Sequence, residues 1–121
     1  MNALRILIAD DEATISLLLA DVLADMGYDV CAIAATEADA VLAAAQFKPD
    51  LMIVDARLGA GSGISAVKQI LRAGFIPHVF ISGDILMAQA LDPGAVVLQK
   101  PFLESDLARA IQLALSAAGA Q

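Results

Sequence analysis

Cysteine, histidine and basic residues are scarce in this chain of 121 residues: one Cys, one His and seven Lys or Arg, against fourteen Asp or Glu, for a formal net charge of −7. A single cysteine excludes an internal disulfide. Cys31 lies in the apolar run Asp29-Val30-Cys31-Ala32-Ile33 and reads as a structural, buried thiol. His78 has no neighbours in sequence that complete a metal or catalytic set, and it reads as an exposed structural residue at a strand start. Seven scattered cations supply no patch to neutralise phosphates, which argues against nucleic acid as a partner and equally against an anionic membrane surface. No run of eighteen residues is free of charge, so no membrane-spanning helix is expected. The segment Met1 to Leu4 lacks the basic stretch and long apolar run of a secretory signal. A cytoplasmic location is the resulting expectation.

What is abundant is apolar: 60% of the residues, with a mean hydropathy of +0.76. A chain of this length fits one domain and can bury roughly two-thirds of its unfolded surface without metal or disulfide staples. Apolar runs alternate with helical patterns from end to end. Arg5-Ile6-Leu7-Ile8-Ala9, Val30 to Ala34, Leu51 to Val54, Val79 to Ile81 and Ala95 to Leu98 read as strands. Between the first two, Ile15, Leu18, Leu19, Val22, Leu23 and Met26 recur at helical spacing, with Gly27 as a stop. Thr36 and Asp39 fit a capping box opening a helix with Ala38, Val41, Leu42 and Ala45 on one face. Ile64, Val67, Ile70 and Leu71 mark a third helix closed by Gly74. Ile85 to Leu91 allows at most about two turns, and a last helix from Glu104 packs Leu107, Ile111 and Leu115. Strands alternating with helices predict an α/β fold, a parallel sheet covered on both faces.

The polar residues fall where such a fold gathers them. Asp10 and Asp11 follow the first strand, Asp55 the third, Ser82 the fourth and Lys100 the fifth. In a parallel α/β sheet the carboxyl ends of the strands share one edge, where ligands bind. Three carboxylates, a hydroxyl and an ammonium therefore converge on one crevice. Crowded carboxylates repel unless a cation lies among them, and Mg²⁺ favours oxygen ligands and phosphate. A carboxylate so screened can attack phosphorus and form an acyl phosphate. Lys100 then offers counter-charge and Ser82 a donor to the incoming oxygens.

Ile6-Leu7-Ile8-Ala9-Asp10-Asp11-Glu12, Met52-Ile53-Val54-Asp55, Phe80-Ile81-Ser82-Gly83 and Lys100-Pro101-Phe102, in this order and spacing, resemble the receiver domain of two-component response regulators. The resemblance covers essentially the whole chain. It implies a flavodoxin-like, doubly wound five-stranded parallel sheet of order 2-1-3-4-5, a (βα)5 fold. It implies Mg²⁺ held by Asp11, Asp55 and the Arg57 backbone carbonyl, with Asp10 contributing largely through water. Asp55 would be phosphorylated from a sensor histidine kinase or a histidine phosphotransfer protein, with Ser82 as the switch hydroxyl, Lys100 as the family's lysine, and a cis Lys100-Pro101 bond. Residues 1–121 then form one receiver domain with no output domain, signalling to a downstream protein or acting as a phosphate sink. The expected readout face comprises the fourth helix, fifth strand and fifth helix, around Met87, Gln89, Val97, Glu104 and Arg109.

Three departures bear on output. The aromatic residue usual three positions before the lysine is Val97. The interval from Ser82 to Lys100 is short, which predicts a shortened or irregular fourth helix. Gly59 replaces the usual proline four after the acceptor, within Gly59-Ala60-Gly61-Ser62-Gly63, and predicts a mobile loop. The chain is similar here to a subset of single-domain regulators without the aromatic switch. Arg57 and Asp84 flank the site, where they could pair and hinder attacking water.

Other functions fit less well. A dinucleotide-binding domain needs its glycine-rich turn after the first strand, where Asp10-Asp11-Glu12 stands instead. An aspartate-nucleophile phosphohydrolase resembles its relatives in a second acid two residues after the nucleophile, and here that residue is Arg57. The alternative is a degenerate receiver that binds partners without phosphorylation, which the complete acidic set argues against.

Overall fold

The computed structural model describes residues 3–84, 91 and 94–119. The chain runs β1 (Arg5–Ala9), α1 (Ala13–Asp25), β2 (Asp29–Ala34), α2 (Glu37–Phe47), β3 (Leu51–Asp55), β4 (Arg57–Leu58), β5 (Gly61–Ser62), α3 (Gly63–Leu71), β6 (His78–Ser82), β7 (Val97–Gln99) and α4 (Glu104–Gly119). Five strands form a parallel sheet of order β2-β1-β3-β6-β7. Counting only these five, this is the expected order 2-1-3-4-5, and the chain has the flavodoxin-like fold.

Side chains alternate along a strand, so each buried strand feeds two cores. Ile6, Ile8, Leu51, Ile53, Val79 and Ile81 pack with Leu19 and Leu23 of α1 and Leu107 and Ile111 of α4. Leu7, Ala9, Met52, Val54 and Phe80 pack on the other face with Ala40 and Ala44 of α2 and Ala66, Val67 and Ile70 of α3. Strands buried on both faces need continuous apolar runs rather than alternation, which is how β1 and β3 read.

Several elements differ from the sequence reading. The last strand spans Val97–Gln99, two residues beyond the expected start, because pairing with β6 begins at Phe80 and Val97. In α2 the buried positions are Ala40 and Ala44, while Leu42 is 66% exposed. The small residues face inward because α2 packs closely on α3 and β2. In α1, Leu18 is likewise on the outside, at 58% exposure. Thr36 caps α2 as expected, its hydroxyl accepting from the Asp39 N–H at 3.1 Å. His78 is half-buried and edges the ring of Phe80, with centroids 5.3 Å apart, and so is less exposed than expected. Cys31 is half-buried too, and burial raises its thiol pKa.

The glycine-rich stretch after β3, expected to be a mobile loop, holds a two-stranded antiparallel hairpin pairing Arg57 with Ser62 and Leu58 with Gly61. Of the short helix expected over Ile85 to Leu91, residues 85–90 lie outside the described residues, and with them Met87 and Gln89 of the expected readout face. Val97 is partly buried against the second core, opposite Phe80 in register.

Candidate functional site

Register decides what meets at the sheet edge. Ala9 pairs with Val54, so the residues that follow them, Asp10 and Asp55, emerge side by side. Asp55 pairs with Ile81 and Ser82 with Gln99, which brings Ser82 and Lys100 to the same edge. The Lys100 backbone N–H donates to the Ser82 carbonyl at 2.9 Å, and the Lys100-Pro101 bond that follows is cis.

All the candidate residues converge. One oxygen from each of Asp10, Asp11 and Asp55 lies within 4.8 Å of the others. Asp10 is 2% and Asp55 8% exposed, whereas Asp11 is on the surface. The crevice, of about 430 Å³, is lined by Asp11, Glu12, Asp55, Arg57, Gly59, Ser82, Gly83, Asp84 and Lys100, with Asp10 beneath. Both Arg57 and Asp84, the expected flanking pair, border this opening.

The two buried carboxylates are each held at one oxygen by a backbone N–H two residues on. Asp10 Oδ1 accepts from the Glu12 N–H at 2.9 Å, and Asp55 Oδ1 accepts from the Arg57 N–H at 3.0 Å. Asp55 Oδ2 accepts from Lys100 Nζ at 2.9 Å. Asp10 Oδ2 is buried without a hydrogen-bond partner; Lys100 Nζ is 3.9 Å from it. Burial raises the Asp10 pKa above its ordinary value, with Asp55 and Glu12 adding repulsion and the Glu12 N–H and Lys100 opposing. Burial alone would lower the Lys100 pKa, but the bond to Asp55 and the charges of Asp55, Asp10 and Glu12 outweigh it, and the net shift is upward.

A buried carboxylate oxygen with no partner is costly, and two more carboxylates beside it make the pocket a fit for a hard divalent cation. Asp10, Asp11 and Asp55 would hold Mg²⁺, and Arg57 begins the hairpin bordering them.

Ser82 is engaged locally. Its hydroxyl donates to the Asp84 carbonyl at 3.0 Å and accepts from the Asp84 N–H at 3.0 Å, so it faces its own turn rather than Asp55. Glu12, which follows the acidic pair in sequence, lies 4.0 Å from Lys100 Nζ.

Two residues near the site escaped the sequence reading. Gly63 packs so tightly under Asp55 that a Cβ would collide with the Asp55 carbonyl oxygen and the Val54 side chain. Glu37, from α2, reaches the hairpin. Its Oε1 accepts from the Ser62 N–H at 2.9 Å, and its Oε2 accepts from the Ser65 hydroxyl at 2.9 Å and Gln69 Nε2 at 2.8 Å. No local pattern announces a contact across 25 residues.

The response regulator receiver domain family matches residues 6–112. The chain belongs to that family. It is 40% identical over 116 residues to the transcriptional regulatory protein PdtaR of Mycobacterium tuberculosis, covering 93% of this chain and 57% of PdtaR. It is 30% identical over 112 residues to the chemotaxis protein CheY of Thermotoga maritima, covering 88% of this chain and 93% of CheY. The solution structure of the PhyR receiver domain from Erythrobacter litoralis superposes with a TM-score of 0.83 at 36% identity, over 96% of this chain and 92% of that one. The chain thus spans little more than half of PdtaR. Receivers are signalling regulators. Among the described residues no helix is long and apolar enough to cross a membrane.

Proposed function

We infer that this receiver is a phosphoacceptor switch of a two-component phosphorelay, taking a phosphoryl group on Asp55 from a sensor histidine kinase or a histidine phosphotransfer protein. The observation that carries the reading is the Asp55 carboxylate, set among Asp10, Asp11 and Lys100 at the switch point of the sheet. An Asp55 oxygen attacks phosphorus, the P–N bond to the donor imidazole breaks, and its electron pair stays on the ring nitrogen as the P–O bond of the acyl phosphate forms. Mg²⁺, when bound, supplies screening of the carboxylates and ligation of phosphoryl oxygen.

The chain's own groups do the rest. Lys100 exchanges its bond to Asp55 for one to a phosphoryl oxygen, as a point charge. Ser82 exchanges the Asp84 carbonyl for a second such oxygen. Because Ser82 satisfies either its own turn or the phosphoryl group, phosphorylation biases a local two-state equilibrium. A downstream protein then reads the change, or the phosphoryl group is drained.

The test is intact-mass spectrometry after incubation with Mg²⁺ and acetyl phosphate, on wild type and Asp55→Asn. Gain of one phosphoryl group by the wild type alone is the expected result. No gain by either protein, with Mg²⁺ binding established, would leave a receiver that binds partners without phosphorylation.

A further inference from the structure

Glu37 lies outside the crevice, yet three donors converge on its carboxylate from the segment that follows Asp55. Ser62 N–H meets one oxygen; the Ser65 hydroxyl and the Gln69 amide meet the other. Ser62 also caps α3, its hydroxyl accepting from the Ser65 N–H at 3.1 Å. The carboxylate of α2 thus fixes the first turn of α3 from outside that helix. Backbone N–H groups at a helix start are unsatisfied within the helix and favour an anion.

The packing is close. A Cβ on Gly61 would stand 3.1 Å from Glu37 Oε1 and 3.2 Å from Glu37 Cβ, tighter than a side chain there tolerates without displacement. A glycine at this position gives Glu37 room to approach the hairpin.

What Glu37 holds is one rung from the site. Ser62 is the register partner of Arg57. The Arg57 N–H is the donor that orients Asp55 Oδ1. A continuous route therefore runs from Glu37 to Ser62, across the hairpin to Arg57, and to the acceptor carboxylate. On the other side of the hairpin, Gly59 faces Asp11, its Cβ position 3.8 Å from Asp11 Oδ2.

We propose that Glu37 is a positioning residue for the cation site: by holding Ser62 and Ser65 it fixes the hairpin that sets Arg57 against Asp55 and closes the crevice beside Asp11. This rests on the reading that the acidic crevice binds Mg²⁺. Glu37 touches neither the cation nor the phosphoryl group, and its effect passes through the hairpin alone.

The test uses the full chain, wild type and Glu37→Ala, with Mg²⁺ binding by calorimetry and amide hydrogen exchange in the absence of Mg²⁺. The variant is expected to bind Mg²⁺ about tenfold more weakly, the low end of the loss when an outer partner of a metal site is removed. Protection of the Ser62 and Arg57 amides should fall, while that of β1 and β3 stays. Phosphorylation by acetyl phosphate should return to the wild-type rate at saturating Mg²⁺, a recovery that general loss of structure would not give. Glu37→Gln, which keeps an acceptor for Ser62, should recover most of the affinity. If Glu37→Ala fails to fold, Ser65→Ala with Gln69→Ala loosens the same carboxylate, and a several-fold loss is expected. Wild-type Mg²⁺ affinity in whichever of these variants folds overturns the proposal. A wild type that binds no Mg²⁺ overturns it together with the phosphoacceptor reading, whereas a wild type that binds normally confines any failure to Glu37.

Discussion

Lys100 Nζ donates to Asp55 Oδ2 at 2.9 Å, and this one ammonium stands among three carboxylates, with Asp10 and Glu12 within 4.0 Å. It is the counter-charge of the crevice, and under the proposed function it is also the group that leaves Asp55 for a phosphoryl oxygen. Its single positive charge would favour an incoming phosphoryl group and oppose a bound cation, and the two effects can be separated by substitution.

Lys100→Ala should slow phosphorylation by acetyl phosphate on the order of a hundredfold, the usual cost of removing a pre-placed electrostatic donor. The same variant should bind Mg²⁺ at least as tightly as wild type, because the carboxylates lose their only close cation among the described residues and repel more strongly. Rate from quenched time courses and affinity from calorimetry give the two numbers. A fall in both would make Lys100 a structural residue rather than a charge acting on the phosphoryl group.

Crowded acids also predict a stability signature. On the reading that Mg²⁺ occupies the crevice of the folded chain and has no site on the unfolded one, a concentration a hundredfold above its Kd should stabilise wild type by about 2.7 kcal/mol, read from urea midpoints. Asp55→Asn should shrink that gain and, without Mg²⁺, be more stable than wild type by about 1 kcal/mol, since it relieves repulsion against buried Asp10. Equal midpoints with and without Mg²⁺ in the wild type would remove the cation from the site.

Acid titration isolates Glu37. The Ser62 N–H holds its pKa below the ordinary 4.5, with the Ser65 hydroxyl adding to the effect, burial opposing it and Gln69 contributing least. A carboxylate depressed on folding contributes stability that is present in full above its unfolded pKa and lost as pH falls through the folded value. Wild type should therefore exceed Glu37→Gln in stability at pH 7, and the gap should close below about pH 4.5. Urea midpoints measured at successive pH values decide it. A gap constant down to pH 3 would mean that the donors respond to shape and not to charge.

The sheet and the crevice were legible because strands buried on both faces leave an unmistakable apolar run, and the first, third and fourth runs each stop at a polar site residue, with Lys100 just past the fifth. Asp10 after Ala9, Asp55 after Val54 and Lys100 after Gln99 needed only the parallel register to be brought together. The hairpin over Arg57 to Ser62 was not legible. Glycines there read as freedom, whereas Gly61 and Gly63 serve close approach to Glu37 and Asp55. That meaning resides in partners 24 and 8 residues away in sequence (61 − 37 and 63 − 55), beyond any local pattern.

The helix α2 shows the same limit in packing, and it can be tested. Its sequence, Glu-Ala-Asp-Ala-Val-Leu-Ala-Ala-Ala-Gln-Phe, has alanine on every side, so periodicity picks the large Leu42 as core by default. Packing instead selects the small Ala40 and Ala44, 1% and 4% exposed, and turns Leu42 outward. Leu42→Ala should then change stability by no more than about 0.5 kcal/mol, as surface substitutions do. Ala44→Leu should cost about 1–3 kcal/mol by overpacking the interface with α3 and β2. Were Leu42 a core residue, its truncation would cost about 2–5 kcal/mol, a gap that paired urea titrations resolve. The ordering Ala44→Leu far worse than Leu42→Ala fixes the orientation of α2, and with it the approach of Glu37 to the hairpin.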